Sequence, residues 1–200
     1  MKLLNTHKLG GGNLSLNYLT DGVVIQNHAV GGRSSKTFIT EGRLDKIIEK
    51  IAANDYLFIQ MGHNDSTKDR PERYTDPYGD YKIYLKQYID KARAKKAIPL
   101  LITPVGRLHY VNQEFLMNFG EYCKAMKEVA EENDVLIIDL MKKSISHFTS
   151  IGYERAKELF MISVNGTDCT HFTQDGAKAV AILVCEGIKE LRIDLSTYVK

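Results

Sequence analysis

Three short polar stretches carry residue types suited to acyl-transfer chemistry. The last of them, Asp168-Cys169-Thr170-His171-Phe172, sets an aspartate three residues before a histidine. A carboxylate at that spacing can orient an imidazole and stabilise its protonated form, so that the ring serves as a general base toward a hydroxyl. The middle stretch, Gly62-His63-Asn64-Asp65, closes the most strand-like segment of the chain. An asparagine amide fixed at a strand end can donate to a developing oxyanion. The first, Asn27-His28-Ala29-Val30-Gly31-Gly32-Arg33-Ser34-Ser35, holds a glycine pair whose backbone N–H groups can face an anionic oxygen with no Cβ in the way. Each stretch also has a plain structural reading. The glycines suit an ordinary strand-to-helix loop, Asp65 can cap the segment after it, and Thr173 or Asp175 can cap a helix that follows His171. Metal ligation is not supported: His28, His63 and His171 are not at ligand spacing, and no H-E-x-x-H occurs.

The elements that must hold these stretches are legible as alternating patterns. Residues 23–25 form a short strand candidate after the turn Asp21-Gly22. Residues 56–61 make a near-continuous apolar run, the mark of a strand buried on both faces. Further strands are expected over 98–103, ended by Pro104, and over 135–140. Helices are expected over 44–51, 81–94, 115–132, within 145–159, and from Asp175-Gly176 to Leu191. Strands separated by helices imply a parallel sheet with helices on both faces, in a single doubly wound domain spanning 1–200. In such folds chemistry collects where strands end and loops begin.

Bulk properties exclude several classes of function. With 27 basic and 25 acidic residues the net charge is +2, which gives no electrostatic case for nucleic acid or an anionic membrane surface. No run is long enough to span a bilayer, and the first dozen residues hold no apolar core of a signal peptide. The expected location is therefore cytoplasmic, with secretion allowed if an upstream segment was lost. Cys123, Cys169 and Cys185 are odd in number and form no C-x-x-C pair, so they read as reduced, mostly buried thiols. No phosphate-cradling G-x-G-x-x-G or P-loop is present.

In sequence order the three stretches resemble blocks two, three and five of the SGNH (GDSL-like) hydrolases. The chain also resembles bacterial rhamnogalacturonan acetylesterases. N-H-A-V-G-G-R-S-S-K-T-F from Asn27 and I-Q-M-G-H-N-D from Ile59 carry the likeness. So do T-D-P-Y from Thr75, A-I-P-L-L-I-T-P-V from Ala97, K-E-L-F-M from Lys157 and D-C-T-H-F-T-Q-D-G-A-K-A from Asp168. The resemblance implies a three-layer α/β/α sandwich with a flavodoxin-like, five-stranded parallel sheet. It implies Gly32 and Asn64 as oxyanion-hole donors, His171 as general base and then acid, and Asp168 as its orienting partner. It implies no metal or other cofactor, and an acetylated carbohydrate or other small ester as substrate. A homo-oligomer is compatible with it.

The chain departs from that family at one place. The family's first block is a strand followed by Gly-Asp-Ser, whose serine is the nucleophile, and no Gly-Asp-Ser occurs in this sequence. The nucleophile is therefore unknown, with Thr6, Ser15, Ser34 and Ser35 as candidate substitutes. The sheet's central first strand is expected to be missing or replaced, by residues 2–4 among other options. Two further functions compete with carbohydrate acetylesterase. One is another esterase of the same fold, and the other is an inactive relative that binds glycans or serves as structure. Arg33, Arg43, Lys68, Arg70, Arg73 and Arg107 flank the motif loops and could suit an acidic sugar.

Overall fold

The structure, a computed structural model, describes residues 2–5 as backbone and residues 18–200 in full. In chain order the elements are β1 (Lys2–Asn5), β2 (Val24–Asn27), α1 (Ser35–Thr40), α2 (Arg43–Ile48), β3 (Tyr56–Ile59), α3 (Asp80–Ala94), β4 (Ile98–Ile102), β5 (Tyr110–Val111), β6 (Glu114–Phe115), α4 (Gly120–Glu132), β7 (Leu136–Ile138), α5 (Leu140–Ile151), α6 (Tyr153–Glu158), α7 (Ile162–Asn165) and α8 (Gln174–Leu191), followed by a 3-10 turn at Asp194–Tyr198. They fall into two compact units. Of the described residues, the first unit holds 2–5, 22–104 and 119–138, and the second holds 18–21, 105–118 and 139–200.

The first unit is built on a five-stranded sheet in the order β2-β1-β3-β4-β7, with every pairing parallel. β1 lies inside it, with Leu3 in register with Ile25 on one side and with Tyr56 on the other. Of the alternatives for the central position, a missing strand is thereby corrected, and occupation by the segment that begins at Lys2 is what is found. An interior strand is held through main-chain groups on both edges. Four residues with Lys2 and Asn5 at the ends are too short and too polar to announce themselves by hydropathy.

Alternation along the inner strands explains how both faces are used. Leu57, Ile59 and Leu101 belong to one core with Phe38, Leu44, Ile47, Leu85, Tyr88, Ile89, Met126 and Val129, the apolar stripes of α1 to α4. The intervening residues Tyr56, Phe58 and Leu100 are buried too. β3 is thus buried on both faces, as its unbroken apolar run requires. Full burial of each large side chain contributes roughly 1.5–3 kcal/mol before entropy is counted.

The second unit contains one element that hydropathy did not reveal. Residues 115–119, expected to begin a helix, do not do so. Phe115 pairs with Tyr110 and Glu114 with Val111 in an antiparallel hairpin, and α4 starts at Gly120. The turn residues Asn112 and Gln113 have φ of 51° and 66°, the left-handed pair that a tight hairpin demands. Asn-Gln is a weaker signal than Asn-Gly, which is why the turn was not legible. Gly152, at φ 78°, divides the expected helix within 145–159 into α5 and α6. Asp139 caps α5 by accepting from the Lys142 N–H, and Thr173 caps α8 by accepting from the Gly176 N–H.

Candidate active site

In the first unit, the chain leaves β2 and turns at Gly32, whose φ of 79° lies in the left-handed region. Nothing stands within 4 Å of where a Cβ would project, so the backbone there is open. The chain then enters α1 through a reciprocal cap: the Ser34 hydroxyl accepts from the Thr37 N–H, and the Ser34 N–H donates to Thr37 Oγ1.

The next residue ties this loop to the end of β3. Ser35 donates its backbone N–H at 3.0 Å and its hydroxyl at 2.5 Å to the buried Asp65 carboxylate. The same carboxylate accepts from the Gly62 N–H and the Thr75 hydroxyl, both at 3.0 Å. Burial pushes the Asp65 pKa up, against these four donors, which pull it down. Asp65 is therefore the clasp between the two loops, a role richer than the cap its position suggested. Tyr122 adds to it, with its hydroxyl 2.9 Å from the Asp65 carbonyl and 2.6 Å from that of Thr75.

The clasp places the two expected oxyanion donors in adjoining loops. Asn64 Nδ2 donates to the Arg33 carbonyl at 3.0 Å, one residue beyond Gly32. Gly62 cannot be replaced without movement, since φ is 128° and a Cβ would meet Pro104 Cγ at 2.6 Å. His63 is buried and packs edge-on against Phe119, with ring centroids 4.7 Å apart. That is the packing role open to it from sequence.

In the second unit, the other polar stretch is organised by two nested side-chain turns. Asn165 Oδ1 accepts from the N–H groups of Thr167 and Asp168. Asp168 Oδ1 accepts from those of Thr170 and His171, both at 2.9 Å. The second carboxylate oxygen of Asp168 lies 2.7 Å from His171 Nδ1. One side chain thus shapes the loop and holds the ring, and it commits Nδ1 so that Nε2 is the nitrogen available for proton transfer. The loop is braced by Met161 N–H donating to the His171 carbonyl and Leu108 N–H to that of Cys169. Gly176 lets α8 start against Leu159, whose carbonyl would sit 2.0 Å from a Cβ.

Burial pushes the Asp168 carboxyl up. The backbone N–H groups of His171 and Thr170, and then the His171 ring, outweigh it and leave the pKa below the ordinary carboxylate value. With a depressed folded pKa, the carboxylate's stabilising contribution is present above the unfolded value, roughly 3.9, and is lost as pH falls through the lower folded value. The difference in melting temperature between the wild-type and Asp168→Asn chains is expected to narrow as pH falls from about 5 to about 3. Thermal melts over that range check it, and a difference that stays constant would rule out the carboxylate's charge as its cause.

The structure therefore pairs Asp168 with His171, and the Gly32 loop with Asn64, each couple within its own unit. It does not support Ser34 or Ser35 as substitute nucleophiles. Both are fully buried, one hydroxyl is used in the cap and the other on Asp65. Thr6 and Ser15 lie outside the described residues. Of the basic residues considered for an acidic sugar, Arg33 and Arg43 are both spent on Glu41, while Lys68 and Arg70 are exposed. Sequence reasoning missed the roles of Asn165, Thr75 and Tyr122. Asn165-Gly166 ahead of Asp168 was a readable turn signal, whereas nothing local marked Tyr122.

Residues 5–184 match the family of GDSL-like lipases/acylhydrolases. The chain belongs to this family. Among relatives of this acylhydrolase, the probable rhamnogalacturonan acetylesterase YesY of Bacillus subtilis (strain 168) is 53% identical over 192 residues, covering 96% of this chain and 88% of its own length. The rhamnogalacturonan acetylesterase RhgT of the same organism is 39% identical, covering 94% of this chain and 84% of its own. Of solved structures, protein YXIM from Bacillus subtilis superposes with a TM-score of 0.81 at 26% identity, covering 96% of the acylhydrolase chain and 57% of its own. An acetyl xylan esterase, AlAXEase, gives a TM-score of 0.69 at 17% identity, covering 96% and 100%. That last likeness concerns fold alone, and the fold class is the parallel α/β architecture of the SGNH hydrolases.

Proposed function

We propose that the chain is a carbohydrate O-acetylesterase acting on acetylated pectic sugars of the rhamnogalacturonan kind. His171 is its general base, Asp168 orients His171, and the Gly32 N–H and Asn64 Nδ2 are its oxyanion donors. The observation that carries this reading is the Asp168–His171 couple, held at 2.7 Å through Nδ1 in a loop shaped by the same carboxylate. The names of the relatives support the substrate class.

In the reaction, His171 Nε2 takes the proton of a hydroxyl nucleophile as it adds to the acetyl carbonyl. The negative charge moves to the carbonyl oxygen, where two N–H donors receive it. Collapse expels the sugar alkoxide, which leaves with the proton from His171. The acetyl group stays as an ester on the nucleophile until water, deprotonated by His171, adds to it and releases acetate and the free hydroxyl. The three cysteines are free, which suits a reducing cytoplasm. Among the described residues no helix is long and apolar enough to cross a membrane.

The test is acetate release from acetylated rhamnogalacturonan, acetylated xylan and p-nitrophenyl esters of rising chain length. Fastest turnover of the pectic substrate is expected, and fastest turnover of long-chain esters would overturn the carbohydrate assignment. In the same assay Asn64→Ala is expected to lower kcat by about 10²–10³-fold, the usual cost of one oxyanion donor. A loss confined to KM would remove Asn64 from that role.

A second reading, a glycan-binding relative without catalysis, is favoured by one observation. The two serines of the glycine loop are buried and hydrogen-bonded, so neither hydroxyl is free to act as a nucleophile. A fluorophosphonate probe separates the two readings. Covalent labelling supports the esterase, while no labelling together with binding of pectic oligosaccharides supports the second.

A further inference from the structure

The hairpin that hydropathy did not reveal forms one wall of a surface hollow within the second unit. Its volume is about 300 Å³, at the lower end of small-ligand sites, which run roughly 300–1,000 Å³. Three half-buried rings line it, Tyr110 and Phe115 from β5 and β6 and Tyr153 from the start of α6. Three exposed polar side chains, Gln113, Glu114 and Thr149, complete it.

The rings are fixed by one another. Tyr110 stacks on Tyr153 at 4.7 Å with planes 24° apart, and Phe115 leans on Tyr110 at 4.8 Å. Ring contact then continues inward from Phe115 to Phe148 at 5.9 Å, to Phe160 at 5.3 Å, and to Phe172 at 4.6 Å. Phe172 is the residue after His171. The hollow is therefore a preformed wall of aromatic surface, continuous in packing with the segment that carries the histidine. None of its lining residues has a part in the chemistry described above.

We propose that this hollow is a binding subsite for a neutral pyranose ring of a glycan chain. A pyranose has an apolar C–H face that lies against an aromatic ring, and a rim of hydroxyls that need donors and acceptors. Gln113 offers both, and Glu114 offers acceptors. The Thr149 hydroxyl donates to the Ile145 carbonyl, which leaves its oxygen as an acceptor at this exposed position. The lining holds a carboxylate and no basic side chain. A sugar acid would bring its own carboxylate against Glu114 with no cation to offset it, so the site selects a neutral residue over a uronate. The subsite rests on the acetylesterase reading only for the source of the sugar, a unit of the same glycan that bears the acetyl ester.

Amide chemical-shift mapping of the full chain tests this, with methyl α-L-rhamnopyranoside, methyl α-D-galactopyranosiduronate and octanoate as three separate probes. The neutral glycoside is expected to shift the amides of residues 110–115 and 149–153, and the uronate to leave them in place. Tyr153→Ala is expected to weaken the neutral glycoside at least about tenfold, while Tyr153→Phe, which keeps the ring, stays within about threefold. Glu114→Lys, an exposed change that does not depend on packing, is expected to let the uronate shift those amides. Shifts elsewhere, equal response to the uronate in the wild-type chain, or octanoate alone moving these amides would overturn the subsite. Failure of the chain to release acetate from any ester would overturn the esterase reading and leave this binding result standing.

Discussion

Exchanging His171 for alanine is expected to lower kcat/KM for acetate release by on the order of 10⁴-fold or more, with the melting temperature shifted by no more than a few degrees. The imidazole side chain is 73% exposed, and among the described residues it is tied by the bond from Nδ1 to Asp168. Removing it costs little packing, so an activity loss reads chemistry rather than folding. Asp168 is a poorer choice for this purpose. Its Oδ1 also gathers the Thr170 and His171 N–H groups, so a substitution there would disturb the loop and the base together. Steady-state kinetics on the best acetylated substrate, paired with thermal melts, provide the check. A His171→Ala chain that kept within tenfold of wild-type activity would remove the histidine from the reaction.

The largest effect on stability is expected at a residue that takes no part in the chemistry. Asp65→Ala strips the common acceptor from the Gly62 N–H, the Ser35 N–H and hydroxyl, and the Thr75 hydroxyl, all at a fully buried site. An orphaned buried donor costs about 1–3 kcal/mol, and water entering the space recovers part of it. A net loss of at least about 3 kcal/mol follows, which for a chain of this size lowers the melting temperature by roughly 6–12 °C. Asp65→Asn is expected to lose less, because the amide oxygen keeps some of the donors while the amide nitrogen faces others. Residual activity should fall with stability, because the clasp holds the loop bearing Asn64. Calorimetry of the two variants decides the matter, and an Asp65→Ala chain melting with the wild type would show that the carboxylate is no clasp.

The pattern of residues determined much of this protein by itself. The apolar run at 56–61 required a doubly buried strand, and β3 is one. The stripe along 81–94 required a helix packed on one side, and α3 begins and ends within a residue of it. The Asp168–His171 spacing allowed their bond without requiring it, because a side chain three residues before a backbone N–H in a turn can reach that N–H and the ring beside it. These are local relations, fixed by bond lengths and by the period of each element.

What only the tertiary structure decided are relations between distant segments. Lys2–Asn5 is a sheet strand because β2 and β3 present open edges to it, a fact that four residues with polar ends cannot encode. Ser34 and Ser35 looked like free hydroxyls beside a glycine pair. Their burial and the Ser35–Asp65 contact, across thirty positions of sequence, make them structural. The hairpin at Tyr110–Phe115 and the hollow it walls depend on a ring from α6, forty residues on. Burial and long-range hydrogen bonding assign such roles, because the free energy of a polar group is set by what surrounds it in space.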